Sequence, residues 1–349
     1  MTTLPVSLGL QGGGAYGAFT WGVLDRLLDD ERLVFDAIGG TSAGAINAMV
    51  VADGMAHGGG RAGAKAALHR FWTALGMASR WSPLQRTPVD YLLGRWTLET
   101  SPGYHLMQFM SAAMAAMQLT KVAIDPMRDL LASLIDFERV RTCEAVRLFV
   151  HATNVRSGRG TMFAQQALTV QHLMAAICVP QAFAAVEIDG EAYWDGSYAA
   201  NPALAPLVPS DSGEARDIII VQINPVARQE LPASLADINH RANEIAFNTS
   251  MLREVAAVTA LGRVIDEIDG KRVAPADVRL HLISGAAHIG ATSLSSKYNA
   301  APTFLTHLHG LGVAAGEQWL TESGSQVGIR ATLALDQIFH QEKAGDRSV

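Results

Sequence analysis

The chain has 349 residues, of which 49% are hydrophobic and 17% are charged, so a disordered protein is excluded. A formal net charge of -6 gives no reason to expect a nucleic-acid surface, and two cysteines are too few for a disulfide scaffold. No segment approaches the roughly 20 uninterrupted apolar residues that span a bilayer, and no basic region of a secretory signal opens the chain, so we expect a cytoplasmic protein.

The N-terminal part alternates strands, glycine-rich loops and helices. Residues 6–10 are predicted to form a buried strand, and apolar positions at helical spacing predict a helix over 15–28. A second strand is predicted at 34–38, followed by the loop GGTSAG and an alanine-rich helix from Ala43. This order is typical of an α/β fold in which helices cover both faces of a mainly parallel sheet.

The following region is predicted to be richer in loops. An alanine-rich helix is expected near 62–78, and Pro83, Pro88 and Pro102 indicate loops after it. Residues 104–119 carry four methionines, which are Met107, Met110, Met114 and Met117. Methionine at helical spacing most often fills a core, so we favour core packing over a lipid-facing lid for this segment.

The strand pattern then resumes and continues to the C-terminal region. The predicted strands after this point lie at 145–155, 161–165, 217–223 and 278–284, and two short ones lie within 185–198. Helices are predicted near 169–178 and 303–322, and a long amphipathic stretch covers 234–268. The two short strands surround a turn at Asp189 and end in a second turn at Asp195 and Gly196.

The first glycine loop fits two different chemistries. Gly12, Gly14 and Gly17 spell G-x-G-x-x-G after the first strand, the spacing of a dinucleotide-binding loop, but the same bare backbone suits an oxyanion hole. A dinucleotide site needs an acidic residue at the end of the second strand, whereas Asp36 lies near the start of that strand. The spacing alone therefore leaves both functions open.

The second glycine loop is the stronger signal. Gly40, Ser42 and Gly44 form G-x-S-x-G between a strand and a helix, the setting of a nucleophile elbow. The amide of Ala43 and the helix dipole would favour negative charge on an attacked carbonyl oxygen. Loops after neighbouring parallel strands open on the same edge of a sheet, so the amides of Gly13, Gly14 and Ala15 are expected to converge above Ser42.

The base that would activate Ser42 has three candidates. His281 at the final strand and His288 just beyond it would complete a hydrolase triad, but Ser42 follows only the second strand, which is early for that fold. Asp195 lies in an Asp-Gly turn at a strand end, where a carboxylate faces the same sheet edge. The residues alone do not choose among these three.

Taken together, the segments GGGAYG, GGTSAG and WDGSYAANP resemble the patatin-like phospholipases, a family of lipolytic acyl hydrolases, from Val6 to about Pro206. The resemblance implies a three-layer α/β/α fold and a Ser/Asp dyad without histidine. In it Ser42 is the nucleophile, Asp195 is the base, and Gly12, Gly13 and Gly14 line the oxyanion hole. The sequence departs from the family at Tyr16, where Arg or Lys is common, and at Ser197, where Gly or Ala is frequent.

We therefore expect residues 1–210 to form a patatin-like catalytic core with an insertion near 79–135. Residues 211–349 are expected to add the remaining strands and the C-terminal helices to that core. The predicted partners are a lipid or other acyl-ester substrate and a transient membrane surface, with no nucleic acid, no cofactor and no metal. Two alternatives stay open: an acyltransferase that uses the same elbow, and a non-catalytic nucleotide-binding module that uses the first loop.

Overall fold

The coordinates are a computed structural model. The structure describes residues 3–116, 126–180, 183–208, 216–228, 231–233, 235–264, 278–289 and 292–333. The side chains of Met114 and His288 and the whole of Met117 lie outside this description.

Eight strands of the described chain form one sheet. They are β1 (Leu4–Leu10), β2 (Leu33–Gly40), β3 (Arg147–Asn154), β4 (Gly160–Phe163), β5 (Val186–Ile188), β6 (Glu191–Trp194), β7 (Arg216–Gln222) and β8 (Val278–Ser284). Their order is β5-β6-β3-β2-β1-β7-β8, with β4 paired to β3. The five strands from β3 to β8 in this order run parallel, and β4, β5 and β6 pair antiparallel at the β3 end. The predicted mainly parallel sheet is thus confirmed.

The described residues form eleven α-helices, and the longer ones follow the sequence pattern. They are α1 (Gly17–Asp29), α2 (Ala43–Gly54), α3 (Gly60–Ser79), α4 (Pro88–Leu92), α5 (Pro102–Ala116), α6 (Pro126–Leu134), α7 (Phe137–Thr142), α8 (Val170–Ala176), α9 (Leu235–Val264), α10 (Ala286–Ile289) and α11 (Pro302–Glu322). Every residue of α2 is buried, which agrees with its alanine-rich sequence. Short 3-10 turns stand at Gly14–Tyr16, Gly196–Tyr198 and Leu294–Tyr298.

Alternation along β7 places apolar side chains on both faces of the sheet. Ile219 and Val221 join the larger core, which includes residues of α1, α2, α3 and α11, while Ile218 and Ile220 join a second core with residues of α9. Successive strand residues point to opposite faces, so a strand buried on both sides requires a helical layer on each. The three-layer α/β/α arrangement expected from the sequence is confirmed.

The loop-rich prediction for the region around Pro88 and Pro102 was incomplete, because each proline begins a helix. Proline is favourable at the first helical position, where its missing N–H would have no partner in any case. Thr87 also caps α4 through a reciprocal pair of hydrogen bonds with Asp90. The helices α6 and α7 were not predicted either.

The prediction that the methionines of α5 fill the core is wrong for Met110. Met110 is 49% exposed. Leu106 and Phe109 on the same helix are 59% and 69% exposed. Tyr104 at the start of α5 is buried, so the helix is anchored near its N-terminus. The periodicity predicted the helix but carried no information on whether a second element covers it.

Candidate active site

The loop after β2 forms a sharp turn around Ser42. Ser42 has a φ of 54° and a ψ of -121°, in the region that L-residues rarely adopt, and it stands immediately before α2. A Cβ on Gly40 would lie 2.4 Å from the Gly44 carbonyl oxygen, and a Cβ on Gly44 would lie 2.3 Å from that of Leu10. Both flanking positions therefore require glycine, as the predicted elbow does.

The loop after β1 packs directly against this turn. A Cβ on Gly12 would lie 2.5 Å from the Ser42 Cβ and 3.0 Å from the Ser197 hydroxyl. Gly14 has a φ of 60°, and the loop continues as the 3-10 turn Gly14–Tyr16 into α1. The structure thus brings Gly12 and Ser42 together, because β1 and β2 are parallel neighbours whose carboxyl ends lie side by side.

Side-chain amides from two other loops hold Gly12 at both of its polar groups. The Gly12 amide donates to Asn201 Oδ1 at 2.7 Å, and its carbonyl oxygen accepts from Asn224 Nδ2 at 2.8 Å. Gln11 Oε1 in turn accepts from the amides of Ile223 and Asn224. The Gly12 amide is therefore occupied, whereas no hydrogen bond to another described residue engages the amides of Gly13, Gly14, Ala15 or Ala43.

Asp195 lies at the end of β6 and is 2% exposed. Its Oδ1 accepts from the Ser197 amide at 2.8 Å, its own amide donates to the Cys178 carbonyl at 2.7 Å, and its carbonyl accepts from the Thr153 hydroxyl. These bonds fix the carboxylate by its backbone and its side chain. A side-chain hydrogen bond from Ser42 lowers the pKa of this carboxylate in part, so the two predicted residues, 153 positions apart in sequence, lie within reach of each other.

Burial raises the pKa of Asp195 above its ordinary value because the charged form loses water. Hydrogen bonding from Ser42, from the Ser197 amide and from the Ser197 hydroxyl lowers it in part, as does the nearby His151. The net direction is upward, toward a stronger base. A carboxylate at its ordinary pKa of about 4 is a weak base, so desolvation of this kind favours the acceptance of a proton from serine.

The neighbouring His151 was missed by sequence reasoning. It is buried in β3, its Nε2 lies 3.0 Å from the Ala200 carbonyl and 3.2 Å from the Gly196 carbonyl, and burial lowers its pKa. A nitrogen between two carbonyl oxygens is a donor, so His151 supports the turn that carries Asp195. A histidine in a strand offers no sequence signal for this contact.

His281 lies elsewhere and has other partners. Its Nε2 contacts Asp217 at 2.9 Å and its Nδ1 contacts the Thr332 hydroxyl at 2.8 Å. It stands in the middle of β8, which is separated from β2 by β7 and β1. The structure does not bring His281 to Ser42, and the side chain of His288, the other histidine candidate, is outside the described part.

Asp36, the acid that a dinucleotide site would need, is at the opposite end of the sheet. It pairs with Arg147 at 2.5 Å and with Arg216 at 2.7 Å, which are the first residues of β3 and β7. The glycine loop leaves the other end of β1. This geometry removes the main support for a dinucleotide site.

Tyr16 is buried, and its hydroxyl donates to the Ser293 carbonyl at 3.0 Å and hydrogen-bonds with the Thr292 hydroxyl. Burial raises the pKa of Tyr16, so the phenol stays neutral. Tyr16, where the resemblance led us to note a departure, therefore holds a neutral ring and not a cation.

In the described part of the chain, no group of three or more His, Cys, Asp or Glu side chains is arranged to hold a metal ion. Among the helices that the structure describes, none has the length and apolar character needed to cross a membrane.

Comparison with known proteins supplies the family. A search of curated proteins found no match. Among solved structures, the chain is similar to VipD from Legionella pneumophila, with 14% identity, a TM-score of 0.36 and coverage of 90% of this chain and 66% of that one. It is also similar to full-length ExoU with SpcU from Pseudomonas aeruginosa, with 14% identity, a TM-score of 0.29 and coverage of 90% and 53%.

The chain thus spans less than two thirds of the length of the ExoU chain and about two thirds of the VipD chain. A family model described as patatin-like phospholipase matches residues 8–208, more than half of the chain, and includes both glycine loops and the Asp-Gly turn. This chain belongs to the patatin-like phospholipase family.

Proposed function

We propose that the chain is a serine lipolytic acyl hydrolase of the phospholipase A or esterase type, acting through a dyad of Ser42 and Asp195. Family membership supports lipid acyl hydrolysis in general. The observation that carries the specific proposal is a serine held at positive φ whose side chain lowers the pKa of a buried carboxylate by hydrogen bonding. Backbone strain of this kind is retained at a site only where the surrounding structure imposes it, and it is typical of functional residues.

In the proposed mechanism, Asp195 accepts the hydroxyl proton as Ser42 Oγ bonds to the carbonyl carbon of an acyl ester. The carbonyl electron pair moves to oxygen, and the resulting oxyanion accepts hydrogen bonds from unengaged amides of Gly13, Gly14, Ala15 and Ala43. The oxyanion then reforms the carbonyl, the ester C–O bond breaks, and the alcohol leaves with the proton from Asp195. Water attacks the acyl-enzyme by the same steps and releases the carboxylic acid.

The occupied amide of Gly12 changes one part of this assignment. Because that N–H already donates to Asn201, Gly12 is assigned to the close approach of the loop to Ser42, and the donors are assigned to the amides that follow. A donor that is already committed would have to break a 2.7 Å hydrogen bond before it could stabilise the oxyanion.

The direct test compares Ser42→Ala, Asp195→Asn and the control Ser133→Ala, whose serine lies on the exposed face of α6. We expect both site variants to lose ester hydrolysis by at least about a thousandfold while keeping wild-type circular dichroism, because neither half of a dyad works alone. Fluorophosphonate labelling should disappear in Ser42→Ala and persist in Ser133→Ala. Turnover retained by folded Ser42→Ala would refute the assignment, and acyl transfer to added alcohols would reveal the acyltransferase alternative.

We also propose that the segment from Trp81 to Met110 meets the lipid surface. It exposes several large apolar side chains, namely Trp81, Val89, Tyr91, Leu92, Leu93, Leu106, Phe109 and Met110. The same segment adjoins the site, since the Tyr104 ring lies 6.2 Å from the Tyr298 ring and the Leu98 amide donates to the Ser295 hydroxyl. Exposed apolar side chains beside a site for acyl lipids favour contact with a lipid aggregate.

A further inference from the structure

Lys297 reaches the glycine loop from the C-terminal part of the chain. It lies in the 3-10 turn Leu294–Tyr298, and a Cβ on Gly14 would lie 2.6 Å from its carbonyl oxygen. Its Nζ donates to Asn224 Oδ1 at 2.9 Å, and Nδ2 of the same asparagine donates to the Gly12 carbonyl. One amide side chain therefore separates the ammonium from the loop that packs on Ser42.

The charge of Lys297 is not matched by a close carboxylate. The carboxylate that attracts Lys297 most strongly, Glu244, is held by Arg228 at 2.7 and 2.8 Å and by Arg241 at 3.4 Å. Within the described residues, no carboxylate lies within ion-pair distance of Nζ, and the hydrogen-bond partner of Nζ is a neutral amide. An ammonium has three donors, so it retains capacity for another acceptor.

Two aromatic rings flank this ammonium. Nζ lies 5.8 Å from the centre of the Tyr16 ring and 5.9 Å from that of Phe247. Burial, together with repulsion from Arg228, lowers the pKa of Lys297 to about 8, while attraction to Glu244 and Asp195 raises it in part, so most of the molecules carry the charge at pH 7. A cation that has lost much of its water and has no paired carboxylate gains strongly from an anion that reaches it.

The Asp195 carboxylate raises the pKa of Lys297 by charge attraction, so the ammonium and the proposed base act on each other through their charges. A lipid with a phosphate near its ester would bring a second negative charge toward the Asp195 carboxylate, and the two would repel each other. A cation beside the loop offsets that repulsion. A neutral ester lacks this second charge and gains nothing from the cation in binding.

We propose that the Lys297 ammonium, between the rings of Tyr16 and Phe247, forms a subsite for the phosphate of a phospholipid whose acyl ester lies at Ser42. The proposal rests on the proposed function and adds to it the residue that selects a phospholipid over an uncharged acyl ester. It assigns to Lys297 a role in binding and none in proton transfer.

The test compares phosphatidylglycerol with diacylglycerol of the same acyl chains in mixed micelles, using wild type, Lys297→Met and Lys297→Arg. A hydrogen bond to a charged group is worth enough that Lys297→Met should raise KM for phosphatidylglycerol about tenfold or more. The KM for diacylglycerol should change less than about twofold, because this ester has no charge to lose. Lys297→Arg should keep most of the wild-type preference for phosphatidylglycerol that Lys297→Met loses.

The matched control is Lys65→Met, which removes one positive charge from α3, where Lys65 pairs with Asp29 at 2.5 Å. It should leave both KM values unchanged.

Inorganic phosphate is the second probe. Competitive inhibition of wild type that Lys297→Met abolishes would assign the subsite to phosphate itself. The same KM pattern without inhibition by phosphate would assign the subsite to the intact lipid head group. Equal losses on both lipids, or no loss on either, would overturn the subsite.

Binding to Ser42→Ala separates this proposal from the proposed function. Micelles containing phosphatidylglycerol should bind this variant more tightly than diacylglycerol micelles, and adding Lys297→Gln should abolish the difference. If wild type hydrolyses neither lipid but this binding difference is present, the proposed function fails and the phosphate subsite stands. If hydrolysis depends on Ser42 but the binding difference is absent, the subsite fails and the function stands.

Discussion

The polar groups around Ser42 and Gly12 come from four loops at the same edge of the sheet. Ser42 follows β2, Gly12 follows β1, Asp195 follows β6 and Asn224 follows β7. Ser42 and Asp195 are both almost fully buried, so the hydroxyl and the carboxylate of the proposed dyad lie where water is scarce. In such surroundings a single added or lost hydrogen bond changes the basicity of the carboxylate.

Ser197 provides a test of that statement. Its hydroxyl stabilises the ionised form of Asp195, so Ser197→Ala should raise the pKa of Asp195 further while the Ser197 amide bond remains. The acid limb of the kcat/KM profile should then move to higher pH by about half a unit to one unit. Ser133→Ala serves as the control, and an acid limb that stays in place would show that the hydroxyl does not act on the base.

Gly12 provides a second test at this scale. In Gly12→Ala the new methyl group would lie 2.5 Å from the Ser42 Cβ and 2.8 Å from the Thr41 carbonyl oxygen, so the loop or the elbow must shift. We expect kcat to fall at least about a hundredfold, because misplacement of reacting groups by about 1 Å costs that much.

The matched control for Gly12→Ala is Gly310→Ala on α11, where a Cβ meets no atom within 4 Å. It should keep full activity and be slightly more stable, because alanine is the better helix former. A Gly12→Ala enzyme with wild-type kcat would mean that the loop tolerates movement and does not position the reacting groups.

The sequence predicted the residues whose roles require a particular backbone conformation, and it did not predict those that act through side-chain contacts. The pattern of Gly40, Ser42 and Gly44 predicts a tight turn, because only small residues fit there. Asn201, Asn224 and Lys297 act through side-chain contacts between loops that are far apart in sequence, and no local pattern marks such contacts. Even the departure at Tyr16 was visible from the sequence, whereas the lysine that lies beside its ring was not.

At the scale of elements, strands and long helices were predicted well because their apolar periodicity is set by burial. The strand 278–284 and the helix near 303–322 are confirmed almost to the residue. The predictions were wrong where one local pattern is compatible with two structures. Proline is common both in loops and in the first turn of a helix. A methionine-rich helix has the same sequence pattern whether or not another element covers it.

The ladder between β7 and β8 contains an ionic cluster that predicts an acid-sensitive stability. Burial raises the pKa of Asp217, but hydrogen bonds from His281, Arg279 and the Gly328 amide lower it more, to about 2 against an ordinary 3.8. The folded-state pKa is thus below the unfolded one, so this stabilisation is complete above pH 4 and is lost as the pH falls toward 2. Its size is about 2 kcal/mol.

Asp217→Asn should therefore unfold at lower denaturant concentration than wild type at pH 7, and the difference should narrow as the pH approaches 3. Chemical unfolding followed by circular dichroism at several pH values measures this. The kcat of the folded variant should remain that of wild type, because the cluster is away from Ser42. A stability difference that does not depend on pH would contradict the assignment of the low pKa to Asp217.

At the scale of the whole molecule, the two ends of the parallel strands differ in what they carry. The ion pairs of Asp36 with Arg147 and Arg216 lie toward the amino ends of the strands, and the proposed site lies at their carboxyl ends. Parallel strands make this division possible, because all their carboxyl ends open on one side. The segment from Trp81 to Met110 is packed against that same side through Ser295 and Tyr298.

The exposed apolar side chains of that segment predict a difference between aggregated and monomeric substrate. Leu92 is 86% exposed and Phe109 is 69% exposed, and burying one such side chain in lipid is worth about 1.5–3 kcal/mol. The double variant Leu92→Gln and Phe109→Gln should lower hydrolysis of phospholipid vesicles about tenfold or more, since each 1.4 kcal/mol of binding is a factor of ten. Hydrolysis of a soluble short-chain ester should be unchanged, because the proposed dyad is intact.

The control is Leu231→Gln, at a leucine that is 91% exposed outside this segment. It should leave both rates unchanged. Equal losses on vesicles and on the soluble ester would assign these side chains to the structure of the site instead of to contact with lipid.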